Sequence, residues 1–155
     1  MVVDGVFFFL LYIIYFFWKW RQKELFFHTL VYMYLVAVFL LTLSPFFTSL
    51  TSIFSHRYEP MMLEPFRDFL AGYEFADWQI ILNIMMFIPF GFLLPRIRNY
   101  KGYQVVFVSF LLSTAIELIQ PLISSYRCSD ITDVICNTLG GLIGYILYKI
   151  VQRKK

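Results

Sequence analysis

Charge is scarce in this chain. Asp, Glu, Lys and Arg make up only 15% of its 155 residues, against 60% hydrophobic and 21% aromatic, and the mean hydropathy is +0.70. So little polar area cannot coat a soluble core of this size, which makes lipid the solvent for most of the surface and removes a soluble enzyme as a starting point. Histidine is rarer still, with His28 and His56 alone, and both read as ordinary residues. No Ser/His/Asp or Cys/His arrangement can be drawn from them, so a zinc enzyme or a triad hydrolase is disfavoured. The two cysteines, Cys128 and Cys136, would lie about 12 Å apart on a continuous helix, too far for a disulfide. Lys and Arg outnumber Asp and Glu by 13 to 10, but they sit in short clusters between apolar runs rather than on a patch, which argues against nucleic acid as a partner.

What the chain has in abundance is long apolar runs. They extend from about Gly5 to Trp18, Leu25 to Leu43, Gln79 to Leu94, Tyr103 to Ile123 and Ile131 to Val151, each long enough or nearly so to cross a hydrocarbon layer as a helix. The expectation is an all-α polytopic membrane bundle of about five transmembrane helices, forming a single membrane domain over residues 1–155. The first run is the shortest, but no small-residue cleavage site follows it, and Phe16, Phe17, Trp18 and Trp20 resemble an interfacial belt, so it reads as a permanent helix. Trp78 reads as a further belt residue.

Lys and Arg near span ends favour the cytoplasm. Lys19, Arg21 and Lys23 follow the first run, Arg96, Arg98 and Lys101 the third, and Lys149, Arg153, Lys154 and Lys155 close the chain. The segment from Pro45 to Trp78 instead carries Glu59, Glu64, Asp68, Glu74 and Asp77 against Arg57 and Arg67. This alternation puts the N-terminus outside and the C-terminus inside. Pro60 and Pro65 break the long outer segment, whose Met61, Met62, Leu63, Phe66, Phe69 and Leu70 recur at near-helical spacing, as in an interfacial helix, a lid, or a loop packed on the helix ends.

With that orientation the intramembrane polar residues fall on one level, toward the outside: Asn83, Glu117, Gln120, Arg127, Asp130, Asp133 and Asn137. These are the candidate ligand-binding residues. Asp130, Asp133 and Asn137 stand at i, i+3 and i+7 and share a helix face, which continues into Gly140 and Gly144, a small-xxx-small pair that admits a neighbouring backbone. Ser109, Ser113, Glu117 and Gln120 form a comparable stripe, and the two stripes should meet. One reading is a network that only fastens the helices. Three carboxylates against one arginine leave excess negative charge, however, which implies a cation, a cationic ligand group or a shifted pKa; a divalent cation held by Glu117, Asp130 and Asp133 is the candidate cofactor. Pro89 and Gly91 should kink or loosen the third span.

These motifs resemble the VanZ-like family of bacterial membrane proteins. The stretch NIMMFIPFGFLL is similar to the family's Asn-x-x-x-Phe-x-Pro-x-Gly element, carried here by Asn83, Phe87, Pro89 and Gly91. IELIQ with Glu117 and Gln120, then RCSDITDVICNTLGG from Arg127 to Gly141, corresponds to its acidic second element. LEPF from Leu63 to Phe66 resembles a shorter outer-loop motif, with Met62 where the family often has Asn. The resemblance implies a protein of the bacterial cytoplasmic membrane, in a family whose namesake is linked to resistance to teicoplanin, a lipid-bearing glycopeptide. Two functions follow as expectations. In the first, the bundle binds an amphiphile at the outer leaflet, either membrane lipid or a lipoglycopeptide antibiotic. The rival is an intramembrane enzyme acting on a lipid or lipid-linked cell-wall precursor, with Arg127 orienting a phosphate. Homo-oligomerisation is open, since five spans make a narrow monomer.

Overall fold

The computed structural model describes residues 2–19, 25–50, 53, 58–125 and 127–153. Trp20, Arg21, Lys23, His56, Arg57, Lys154 and Lys155, used above for the belt, the topology and the histidine reading, lie outside the described residues. All named elements are helices: α1 Val2–Lys19, α2 Leu25–Leu43, α3 Phe46–Ser49, α4 Arg67–Leu70, α5 Ala76–Ile97, α6 Gly102–Ile123 and α7 Ile131–Arg153. Four stretches, Leu25–Ser49, Ala76–Ile97, Gly102–Ile123 and Ile131–Arg153, are long and apolar enough to cross a membrane, and the apolar part of α1, Val2–Phe16, is shorter. The apolar runs therefore became helices at nearly the positions the hydropathy pattern gives.

The chain divides into two compact units, Met1–Tyr58 with Leu122–Ser125, and Glu59–Pro121 with Tyr126–Lys155. In the first, α1 and α2 pack through aromatic side chains. Phe8 meets Phe39 edge-on at 4.8 Å, and the Tyr32 hydroxyl donates to the Phe8 carbonyl at 2.6 Å. Asp4 is fully buried in this unit and accepts from the Ser44 hydroxyl at 2.8 Å and the Phe47 N–H at 3.0 Å. A buried carboxylate needs such donors. The apolar runs drew attention away from Asp4, whose partners lie some forty positions along the chain.

In the second unit α5 and α7 run parallel and touch through glycine. A Cβ placed on Gly91 would stand 1.9 Å from the Gly141 carbonyl oxygen, one on Gly140 2.2 Å from the Ile84 oxygen, and one on Gly144 2.0 Å from the Ile88 oxygen. Only hydrogen fits there, so the two backbones are in van der Waals contact, the packing that membranes use in place of a hydrophobic drive. α6 returns antiparallel, and Gly141 also lies against Ser109 Oγ. Phe87, Val105 and Val134 fill the centre. The expected kink or loosening at Pro89 does not end the helix: α5 is one element through both Pro89 and Pro95. A proline removes one rung of the ladder and leaves the others intact.

Among its described residues the segment from Pro45 to Trp78 forms no long helix before α5. Its helices before α5 among the described residues, α3 and α4, have four residues each, and Pro60 and Pro65 keep the stretch before α4 extended. That stretch pairs instead with the residues before α7. The Met62 N–H donates to the Ser129 carbonyl at 2.9 Å and the Ile131 N–H to the Met62 carbonyl at 3.0 Å, an isolated parallel bridge between Met62 and Asp130.

Candidate functional site

The site lies in the second unit, where α5 and α7 begin and α6 ends. Pro121 is its quiet organiser. Having no N–H, it leaves the Glu117 carbonyl four residues back without a helical donor. The Ser129 hydroxyl, fully buried, donates to that carbonyl at 2.5 Å. The Glu117 carboxylate, only 2% exposed, accepts from the Asp130 N–H at 3.0 Å. One residue on α6 thus holds the approach to α7 by both its main chain and its side chain.

Asp130 is not inside α7, as a continuous i, i+3, i+7 face would require. It is the residue before the helix, and its Oδ1 accepts from the Thr132 N–H at 2.7 Å, the bond of a helix cap. Residues 127–129 ahead of it are not helical and Asp130 pairs with Met62 instead, which spacing alone does not reveal. Asp133 lies in the first turn, where a carboxylate suits the positive end of the helix, and the Asn83 side chain of α5 hydrogen-bonds to it. Deeper, the Asn137 amide donates to Ser113 Oγ at 2.8 Å, so the α6 and α7 stripes do meet. Asn137 Oδ1, Ser109 Oγ and Thr114 Oγ1 are buried without a hydrogen-bond partner among the described residues.

The acidic groups face one another. Asp130 and Asp68 lie within electrostatic reach of Asp133, and Asp133, Asp130 and Arg127 within reach of Glu117. Arg127 is half-buried before α7, and Gln120 is half-buried on α6 one turn short of Pro121's end of the helix. Asp68 on α4 joins this group, although the sequence singled it out only as one acidic residue of the segment from Pro45 to Trp78. No periodicity links it to α7; the bridge at Met62 and the Phe66 N–H, which donates to Thr132 Oγ1 at 2.9 Å, bring α4 across. Met62 takes part through its backbone, so the departure from an Asn there costs the seam nothing.

Among the described residues no group of three or more His, Cys, Asp or Glu side chains is placed to hold a metal ion. Glu117, Asp130 and Asp133 are neighbours by charge but do not converge as a ligand trio, because Glu117 Oε2 and Asp130 Oδ1 are turned to backbone N–H groups.

Two spaces open at this end. A narrow cleft lined by Asp68, Gln79, Asp130, Thr132 and Asp133 has a volume of about 10 Å³, the room of roughly one water molecule. Beside it lies an open apolar hollow of about 550 Å³, walled by Leu70, Ile80 and Ile81. Phe66, Phe69 and Ile80 line both. An acidic notch and an apolar trough therefore share a wall, an arrangement suited to a ligand with a polar head and a hydrocarbon tail.

Residues 5–152 match the family described as VanZ/LLP1. The chain is 37% identical to Protein VanZ of Enterococcus faecium over 125 residues, which is 80% of this chain and 74% of that protein. No solved structure matches it.

Proposed function

Because this chain belongs to the VanZ/LLP1 family, we propose that it works in the bacterial cytoplasmic membrane as a binder of amphiphiles at the outer leaflet, and that it contributes to resistance against teicoplanin-type lipoglycopeptides. The observation that carries this reading is the wall shared by the acidic cleft and the apolar hollow. A cationic or hydrogen-bonding head meets Asp68, Asp130 and Asp133, while an acyl chain lies along Phe69, Leu70 and Ile81. The positive-inside asymmetry of the Lys and Arg clusters supports placing this end outside. A lipoglycopeptide gains effective concentration at its target by anchoring in the membrane, so a protein that takes up the anchor lowers potency without altering the cell wall.

The test is susceptibility of a sensitive bacterium expressing the chain, with membrane abundance measured alongside. Teicoplanin tolerance should rise and vancomycin tolerance, for a drug with no acyl chain, should not. Asp133→Asn and Phe69→Ser, at native abundance, should each remove most of the protection. Equal protection against the two drugs, or undiminished protection by both variants, rejects the reading.

A further inference from the structure

The opposite end of the same unit holds a second site, which the function above does not use. Between the C-terminal turns of α5 and α7 lies a hollow of about 270 Å³ lined by Phe92, Arg96, Asn99, Tyr148 and Gln152, among others. Its floor is aromatic, Phe92 meeting Tyr148 edge-on at 6.1 Å. From Gln79 beside the acidic cleft to Arg96 is seventeen residues of α5, roughly 25 Å along a helix, close to a hydrocarbon thickness. The two sites therefore face opposite interfaces of one bilayer.

The chemistry of the second site is the reverse of the first. No carboxylate lines it. A guanidinium, two carboxamides and a phenol offer N–H and O–H donors, and the guanidinium fork matches phosphate oxygens in pairs. The last carbonyls of α5 and α7 turn negative partial charge toward this end; Arg96 and Arg153 in the final turns and Arg98 just beyond α5 offset it. Val151, which lines the hollow, and Ile146 and Leu147 about one turn nearer the bilayer centre on α7 are 47%, 48% and 41% exposed. A soluble anion would gain nothing from that apolar rim, whereas a phospholipid would lay its acyl chains on it.

We propose that this hollow binds the headgroup of an anionic phospholipid of the membrane in which the protein sits, with Arg96 on the phosphate, Asn99 and Gln152 on the remaining oxygens, and Tyr148 beneath. The purified, delipidated full chain in neutral detergent is titrated with phosphatidylglycerol, with phosphatidylcholine and with sodium phosphate, and bound species are counted by native mass spectrometry. Phosphatidylglycerol should bind at least tenfold more tightly than phosphatidylcholine. Arg96→Gln should abolish that preference, while Arg98→Gln, off the hollow, and Asp133→Asn, at the other end, should keep it. Tyr148→Phe, which removes one donor and keeps the ring, should weaken phosphatidylglycerol severalfold and serves if Arg96→Gln does not fold, as judged by helical circular dichroism. Equal affinity for the two lipids overturns the proposal. So does an Arg98→Gln loss as large as that of Arg96→Gln, which would mean diffuse charge. Inorganic phosphate that binds with the same Arg96 dependence and as tightly as phosphatidylglycerol would make this a free-anion site and overturn the lipid.

Discussion

Ser129 and Pro121 form a pair whose logic can be measured. Ser129→Ala removes the donor to a buried carbonyl, and an unsatisfied buried acceptor costs about 1–3 kcal/mol. In a Pro121→Ala background the restored helical N–H takes that carbonyl, so the same Ser129→Ala change should cost well under half as much. A thermal or denaturant double-mutant cycle in micelles checks this; strict additivity would mean that the two residues are not coupled. Asp130 separates charge from capping in the same way. Asn caps a helix about as well as Asp, while Ala loses about 1 kcal/mol, so Asp130→Asn should unfold with the native chain and Asp130→Ala below it. Of these roles the sequence displayed only the residue types. Glu117 was legible as a polar residue in an apolar run, but its partner was not, since the bond goes to a backbone N–H that every residue but proline carries and that only the folded approach to α7 brings near.

At the scale of elements, the glycines where α5 meets α7 differ from Gly5 and Gly72, which have open space around them. Gly144→Ala drives a methyl against the Ile88 carbonyl and the Phe92 nitrogen of α5, backbone atoms with nowhere to go. Overpacking of this kind costs about 1–3 kcal/mol, and α5 and α7 should separate first. Gly5 in α1 has nothing within 4 Å, so Gly5→Ala should instead stabilise by about 0.5–1 kcal/mol, the ordinary helix gain. Midpoints of unfolding for the two variants should move in opposite directions. The Gly140 and Gly144 spacing announced this contact. Gly91 and Gly141 supplied its other half, which needed the register of two helices distant in sequence. α4 was hidden for a related reason: its position depends on main-chain pairing at Met62, and backbone hydrogen bonds leave no mark on side-chain periodicity.

For the whole molecule the decisive quantity is which end faces out. Cys128 is exposed beside the acidic cluster and Cys136 is buried within α7. A membrane-impermeant maleimide added to intact cells should label Cys128 and spare Cys136, and a Cys128→Ser chain should stay unlabelled until the protein is unfolded. Labelling of Cys128 only after lysis would invert the topology and move the amphiphile site to the cytoplasmic leaflet. Hydropathy made the helices readable to within about three residues at their ends, because lipid imposes one requirement on every span. The facing of the two ends rests on a handful of cations, and the shape of the site on contacts between segments 60 or more positions apart. The seam between Met62 and the residues around Asp130 has one last consequence. Since it is made of main-chain atoms, the side chains of Met61, Met62 and Leu63 can drift over generations without loosening it. Substitutions at these three positions then leave Phe66 and α4, and with them one wall of the hollow, where they stand.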